Sequence, residues 1–78
     1  MTADEYMAVI HERRRIALDR FVRSFPYPHV KRASRVLEMN AQNLKQMRNG
    51  SYLICERRAR LIEERMGMEF GSLDKEAA

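Results

Sequence analysis

Apolar residues recur along this chain at three- and four-residue intervals, the period of a helix with one buried face. Leu18, Phe21, Val22 and Phe25 form the clearest stripe, and Tyr6, Met7 and Ile10 continue it more weakly upstream. Thr2 to Glu5 fit a capping box, in which the threonine hydroxyl accepts from the backbone and the glutamate reaches back. A first helix is therefore expected from there to about Ser24. The run Arg13-Arg14-Arg15 interrupts the stripe, which implies that the first turns extend past the compact core or pack on something else. The three arginines are expected to be solvated or to pair with Glu12 and Asp19. A lesser reading makes them a further phosphate or partner contact.

Phe25-Pro26-Tyr27-Pro28 ends this helix, because proline disfavours helical geometry in the residue before it and donates no backbone hydrogen bond. A second helix is predicted over about His29 to Glu38, with Val30, Ala33 or Ser34, and Leu37 on its buried side. Asn40 is a good N-cap, since its side-chain oxygen can accept a free amide of the next turn. A short third helix is expected from Ala41 to Arg48, with Leu44 and Met47 inward and Asn49-Gly50 as its stop. After a link at Ser51–Leu53, a fourth helix covers about Cys55 to Met66, with Ala59, Ile62 and Met66 on one face and Leu61 beside them. Gly67 ends it. Phe70, Leu73 and Asp74 fall in a last turn, and Lys75–Ala78 form a frayed tail. The prediction is all-α: one domain over residues 1–78 with four to five helices.

Composition narrows the picture. At 78 residues the chain holds one domain, and a domain this small buries only about 60% of its unfolded surface, so modest stability is expected. Hydrophobic residues, at 45%, suffice for a core. Six methionines and no tryptophan suggest that this core is soft and adaptable. The lone Cys55 rules out an internal disulfide framework and a multi-cysteine zinc site, and reads as a small, semi-buried packing residue. The N-terminus opens acidic and has no long apolar run, so neither a signal peptide nor a membrane span is expected, and a reducing cytoplasm is the default location. His11 and His29 are far apart, with no ligand-forming neighbours. No nucleophile–base pair and no phosphate-cradling glycine loop is present. Glu63 and Glu64 point in different directions on a helix and read as solvated. These absences point away from an enzyme, a cofactor, a metal or a small-molecule substrate.

Charge changes the picture more. The formal net charge is +4. Between Lys31 and Gly50 five bases (Lys31, Arg32, Arg35, Lys45 and Arg48) face one acid, Glu38. That surplus equals the net charge of the whole chain, because the rest holds ten bases and ten acids. The window spans two short helices joined by a tight turn around Met39–Ala41. Such a turn fixes the second helix across the first so that one flank projects outward, and in a helix-turn-helix that flank enters the major groove of DNA. Glutamine and asparagine can pair two ways with adenine, and lysine and arginine can donate to guanine or to phosphate. Gln42, Asn43 and Gln46 are therefore the candidates for base contacts, and Lys31, Arg32, Arg35, Lys45 and Arg48 for phosphate contacts. A polar helix flank is ordinarily solvated surface. Here it coincides with a tight turn inside the one net-basic window.

The stretch VKRASRVLEMNAQNLKQMRNG followed by SYLICERRARLIEERMGMEFGSLD resembles the lambda-repressor-like group, the Cro and repressor helix-turn-helix proteins of bacteria and their phages. The resemblance rests on Ala33/Ser34, Met39, Leu44, Met47, Asn49-Gly50, Ile54, Glu56, Ala59-Arg60, Ile62-Glu63, Met66-Gly67, Gly71, Leu73 and Asp74. It covers about residues 18–74 and leaves 1–17 as a helical extension. It implies that Ala41–Arg48 is the recognition helix, with Gln42 and Asn43 facing bases and Gln46 one turn further along. The chain departs from the group at Glu38, where glycine is usual, so the turn is expected to take a conformation open to a residue with a side chain. Glu38 also sets a negative charge near the DNA face. The implied function is sequence-specific binding of double-stranded DNA by a cytoplasmic bacterial or prophage transcriptional regulator. One domain reads one half-site, so a homodimer is expected, through Tyr6, Met7 and Ile10 or through Phe70 and Leu73. The competing reading is a helical protein-interaction module, antitoxin-like or a phage adaptor, whose basic face is incidental.

Overall fold

The computed structural model of the protein describes Met1–Lys75. Four α-helices follow one another: α1 (Ala3–Arg23), α2 (His29–Leu37), α3 (Ala41–Asn49) and α4 (Glu56–Met66). A single 3-10 turn, Ser72–Asp74, closes the described chain. No strand occurs among the described residues, so the all-helical expectation stands. The expected frayed tail falls, from residue 76 on, outside the described residues.

The helix ends are where the local signals place them. Thr2 accepts from the Glu5 amide at 3.1 Å, which is one half of the expected capping box. Asn40 accepts from the Gln42 amide at 2.7 Å. α3 closes on Gly50 at φ +86°, a left-handed geometry that costs a residue with a Cβ about 1 kcal/mol or more. The predicted fourth helix begins one residue later than expected. Cys55 is its extended N-cap and is exposed, not the half-buried packing residue expected.

One core holds the helices together. Leu18 and Val22 of α1, Ala33 and Leu37 of α2, Leu44 and Met47 of α3, Ile54, Ala59 and Ile62 of the α4 region, and Leu73 are all buried. Phe21, Phe25, Val30, Met39 and Met66 pack against them partly exposed, with Phe21 and Phe25 edge to face. Three of the six methionines, Met39, Met47 and Met66, belong to or pack against this core. Met47 alone of the methionines is fully buried, whereas Met1, Met7 and Met68 are exposed. Branched aliphatic side chains fill the middle, as their spacing on four helices dictates.

Two charged residues lie inside this shell, against expectation. Arg14 is 2% exposed. It donates to Asp74 at 2.6 and 3.2 Å, to the Ile54 carbonyl at 2.8 Å and to Glu56 at 2.7 Å. Glu63, expected to be solvated, is equally buried. It accepts from the backbone amides of Gly71 and Leu73 at 3.0 and 2.8 Å and pairs with Arg60 at 3.0 Å. Arg60 also reaches Asp74 at 2.6 Å. A buried charge is tolerable only with paired, hydrogen-bonded surroundings, and these five groups supply them to one another. Together they lash the Ser72–Asp74 turn to α1 and α4. The hydrogen bonds from Arg14 and Arg60 hold the Asp74 carboxyl below its ordinary range, against the opposing pull of burial.

Candidate nucleic-acid interface

α2 ends and α3 begins within three residues, Glu38–Asn40. The Met39 amide reaches back to the Ser34 carbonyl at 3.0 Å, and the Glu38 amide to Arg35 at 3.3 Å. This six-to-one closure with a left-handed residue inside it is the Schellman arrangement. Glu38 supplies the left-handed residue, at φ +51° and ψ +49°. The turn therefore keeps the geometry that glycine favours and imposes it on a glutamate, instead of moving to a conformation natural for a side chain. Arg65 of α4 braces it by donating to the Leu37 carbonyl and meeting the Glu38 carboxylate at 3.4 Å. The acid near the proposed DNA face thus has a cationic partner. Met39, next in line, tucks partly into the core, and Asn40 caps α3.

With α3 pinned at both ends, its faces are fixed. Leu44 and Met47 point inward. Gln42, Asn43 and Lys45 are exposed and Gln46 is half-buried. Lys31, Arg32 and Arg35 of α2 are exposed as well. Among the described residues Lys31, Arg32, Arg35 and Lys45 have no acidic partner. Arg48 differs from them. Its guanidinium donates to Asp19 of α1 at 2.9 Å, and its carbonyl accepts from Arg15 at 3.1 Å. The structure thus leaves four of the five proposed phosphate contacts free and ties the fifth to the neighbouring helix. Asp19 carries a second cation, Arg23, at 2.9 Å.

The Arg13–Arg15 run resolves into three separate roles. Arg14 is interior. Arg15 pairs with Glu12 and clamps the end of α3. That contact depresses the Glu12 carboxyl and raises the arginine further. Arg13 grazes the Asp74 carbonyl at 3.4 Å. His29 bonds the Phe25 carbonyl, and no cluster of three or more potential ligands for a metal occurs among the described residues. No helix among them is long and apolar enough to cross a membrane. Comparison with protein-family models, with curated proteins and with solved structures finds no match for this chain.

Proposed function

We propose that the protein binds double-stranded DNA in a sequence-specific manner, with α2 and α3 acting as a helix-turn-helix, and that it regulates transcription from the site it occupies. The observation that carries this reading is the pairing pattern of the cations. Most arginines elsewhere are consumed by carboxylates or carbonyls of the fold. Lys31, Arg32, Arg35 and Lys45 are left unneutralised on the two helices that flank a braced three-residue turn. Fixed, unpaired cations are what a polyanion meets first. Gln42 and Asn43 stand at the N-terminal end of α3, the end of a recognition helix that reaches base edges. The resemblance to the Cro and repressor proteins belongs to this proposal.

Selection from a random double-stranded DNA pool, followed by titration of enriched sites at several salt concentrations, tests it. An enriched motif is expected. The logarithmic salt dependence for one domain should have a slope of about −3.6, four phosphate contacts at roughly −0.9 each. No enrichment, with only weak salt-labile binding, would refute the proposal and leave the protein-interaction module as the better account.

A further inference from the structure

The N-terminal end of α1 has an unpartnered apolar face. A helix of 21 residues is roughly 31 Å long, and the molecule measures 40 Å along its longest axis against 25 and 23 Å across. From Met1 to Ala8 every residue is exposed, and Ile10 is the first to be buried. Yet Tyr6, 54% exposed, and Met7, 40% exposed, continue the stripe that Ile10 and Leu18 bury. Beside this overhang the α3–α4 connector shows a second apolar pair, Tyr52 and Leu53, the latter 59% exposed. Ala8, His11 and Glu12 of α1 meet Tyr52, Leu53 and Ile54 around one cleft of about 290 Å³.

Charge divides along the same line. Residues 1–10 contain Asp4 and Glu5 and no lysine or arginine. The connector and first turn of α4 contain Arg57 and Arg58, while their one acid, Glu56, is already held by Arg14 and Arg60. Asp4, Glu5, Arg57 and Arg58 form no ion pair among the described residues. An acidic, apolar end beside a basic, apolar wall is self-complementary under two-fold rotation, which brings each against the other's counterpart.

We propose that the protein is a homodimer in which the Asp4–Met7 end of one copy docks on the partner's Tyr52–Arg58 connector, and the reverse contact forms by symmetry. Of the surfaces expected from sequence, Ile10 and Leu73 are consumed inside the monomer and Phe70 is exposed with the Arg60 guanidinium stacked on its ring at 4.6 Å; the unpaired charges beside Tyr6 and Met7 assign the contact to them. Gln42 and Asn43 lie at the end of α3 away from Arg48, where α1 grips it. Dimerisation therefore leaves them open.

Sedimentation of the full chain without DNA tests the contact apart from any DNA binding. Two small reciprocal patches predict association in roughly the micromolar range, weakened by salt. D4K/E5K and R57E/R58E should each weaken self-association about tenfold or more, since each turns two symmetry-related attractions into repulsions. An equimolar mixture of the two variants should recover association, because lysine then meets glutamate on one side and the native pair meets on the other. F70S should change nothing. A chain that stays monomeric up to about 1 mM, variants that associate like the parent, a mixture that fails to recover, or a dimer lost in F70S would each overturn the proposal. Unfolding of one variant cannot imitate recovery on mixing.

Discussion

Replacement of Arg14 by alanine removes the interior cation that ties three segments of chain together. The side chain bonds Asp74 twice, Glu56 once and the Ile54 carbonyl once, while its own stem fills space beside Ile10 and Leu18 on the buried face of α1. The loss leaves the Ile54 carbonyl without its donor. Asp74 keeps Arg60, so its carboxylate is not wholly stranded, which moderates the cost. Breaking a buried ion pair from one side costs about 3–5 kcal/mol, and the retained Arg60 contact argues for the lower end. A domain of 78 residues has a total stability of roughly 4–12 kcal/mol, so R14A should lose a large fraction of it. Urea unfolding followed by far-ultraviolet circular dichroism reads this directly. At a slope near 1.5 kcal/mol/M, a loss of about 3 kcal/mol lowers the midpoint by roughly 2 M. R23A is the matched control, because that guanidinium is 72% exposed and Asp19 is its one partner among the described residues, a geometry worth less than about 1 kcal/mol. Equal losses in R14A and R23A, both below about 1 kcal/mol, would refute the view that the interior network holds the C-terminal turn to the helices.

Other expectations follow from the same contacts. Glu38→Gly relieves the left-handed strain of about 1–2 kcal/mol but gives back about 0.4–1 kcal/mol through a freer unfolded chain. Thermal unfolding should therefore show it neutral to slightly stabilising, and DNA titration should show tighter binding once the acid is gone; marked destabilisation would contradict the assigned turn. Asp74 has a folded pKa below its unfolded value because of its bonds to Arg14 and then Arg60. Its contribution is therefore complete above the ordinary aspartate range and is lost as pH falls through the depressed folded value, so stability should drop below about pH 4. Asp74→Asn should flatten that acid limb in a pH series of denaturation midpoints. Gln42→Ala and Asn43→Ala should relax sequence preference while sparing nonspecific binding, whereas Arg35→Ala should weaken binding to every sequence and make the salt slope shallower by about 1. Unchanged selectivity in both amide variants would mean that α3 does not read the bases.

The helices and their ends could be read from the chain because the signals for them are local. A threonine or asparagine oxygen finds an amide two or three residues on, and Gly50 and Gly67 stop helices by their own backbone freedom. The inward positions of Leu44 and Met47, and the outward positions of Gln42 and Asn43, follow from helical spacing in the same way. Burial of charge does not follow from local pattern. Arg14 is interior because Ile54 and Asp74 arrive from 40 and 60 residues away. Glu63 is interior because it captures the amides of a turn that comes after its own helix ends. The tie between Arg48 and Asp19 spans 29 residues and is equally invisible to spacing. A run such as Arg13-Arg14-Arg15 carries three fates, because adjacent residues on a helix face different surroundings.

This distinction bears on how the basic character of the chain is put to use. A charge count treats every arginine alike, yet an arginine already bonded to carboxylates has spent its donors and much of its field on the fold. Arg14, Arg15, Arg60 and Arg65 each serve more than one neighbour inside the molecule, and Arg48 holds Asp19 with two of its nitrogens. Removing any of them perturbs packing before it perturbs a partner. The cations of α2 and the exposed lysine of α3 have the opposite character. They add nothing visible to the fold, and crowding like charges on adjacent helices costs stability. A surface that holds such charges unneutralised, beside a turn braced by Arg65, supports the proposed polyanionic partner more than it serves folding. In that account the hydrogen-bonded, Arg65-braced turn fixes the angle of α3, and the free cations supply the attraction that makes a fixed angle useful.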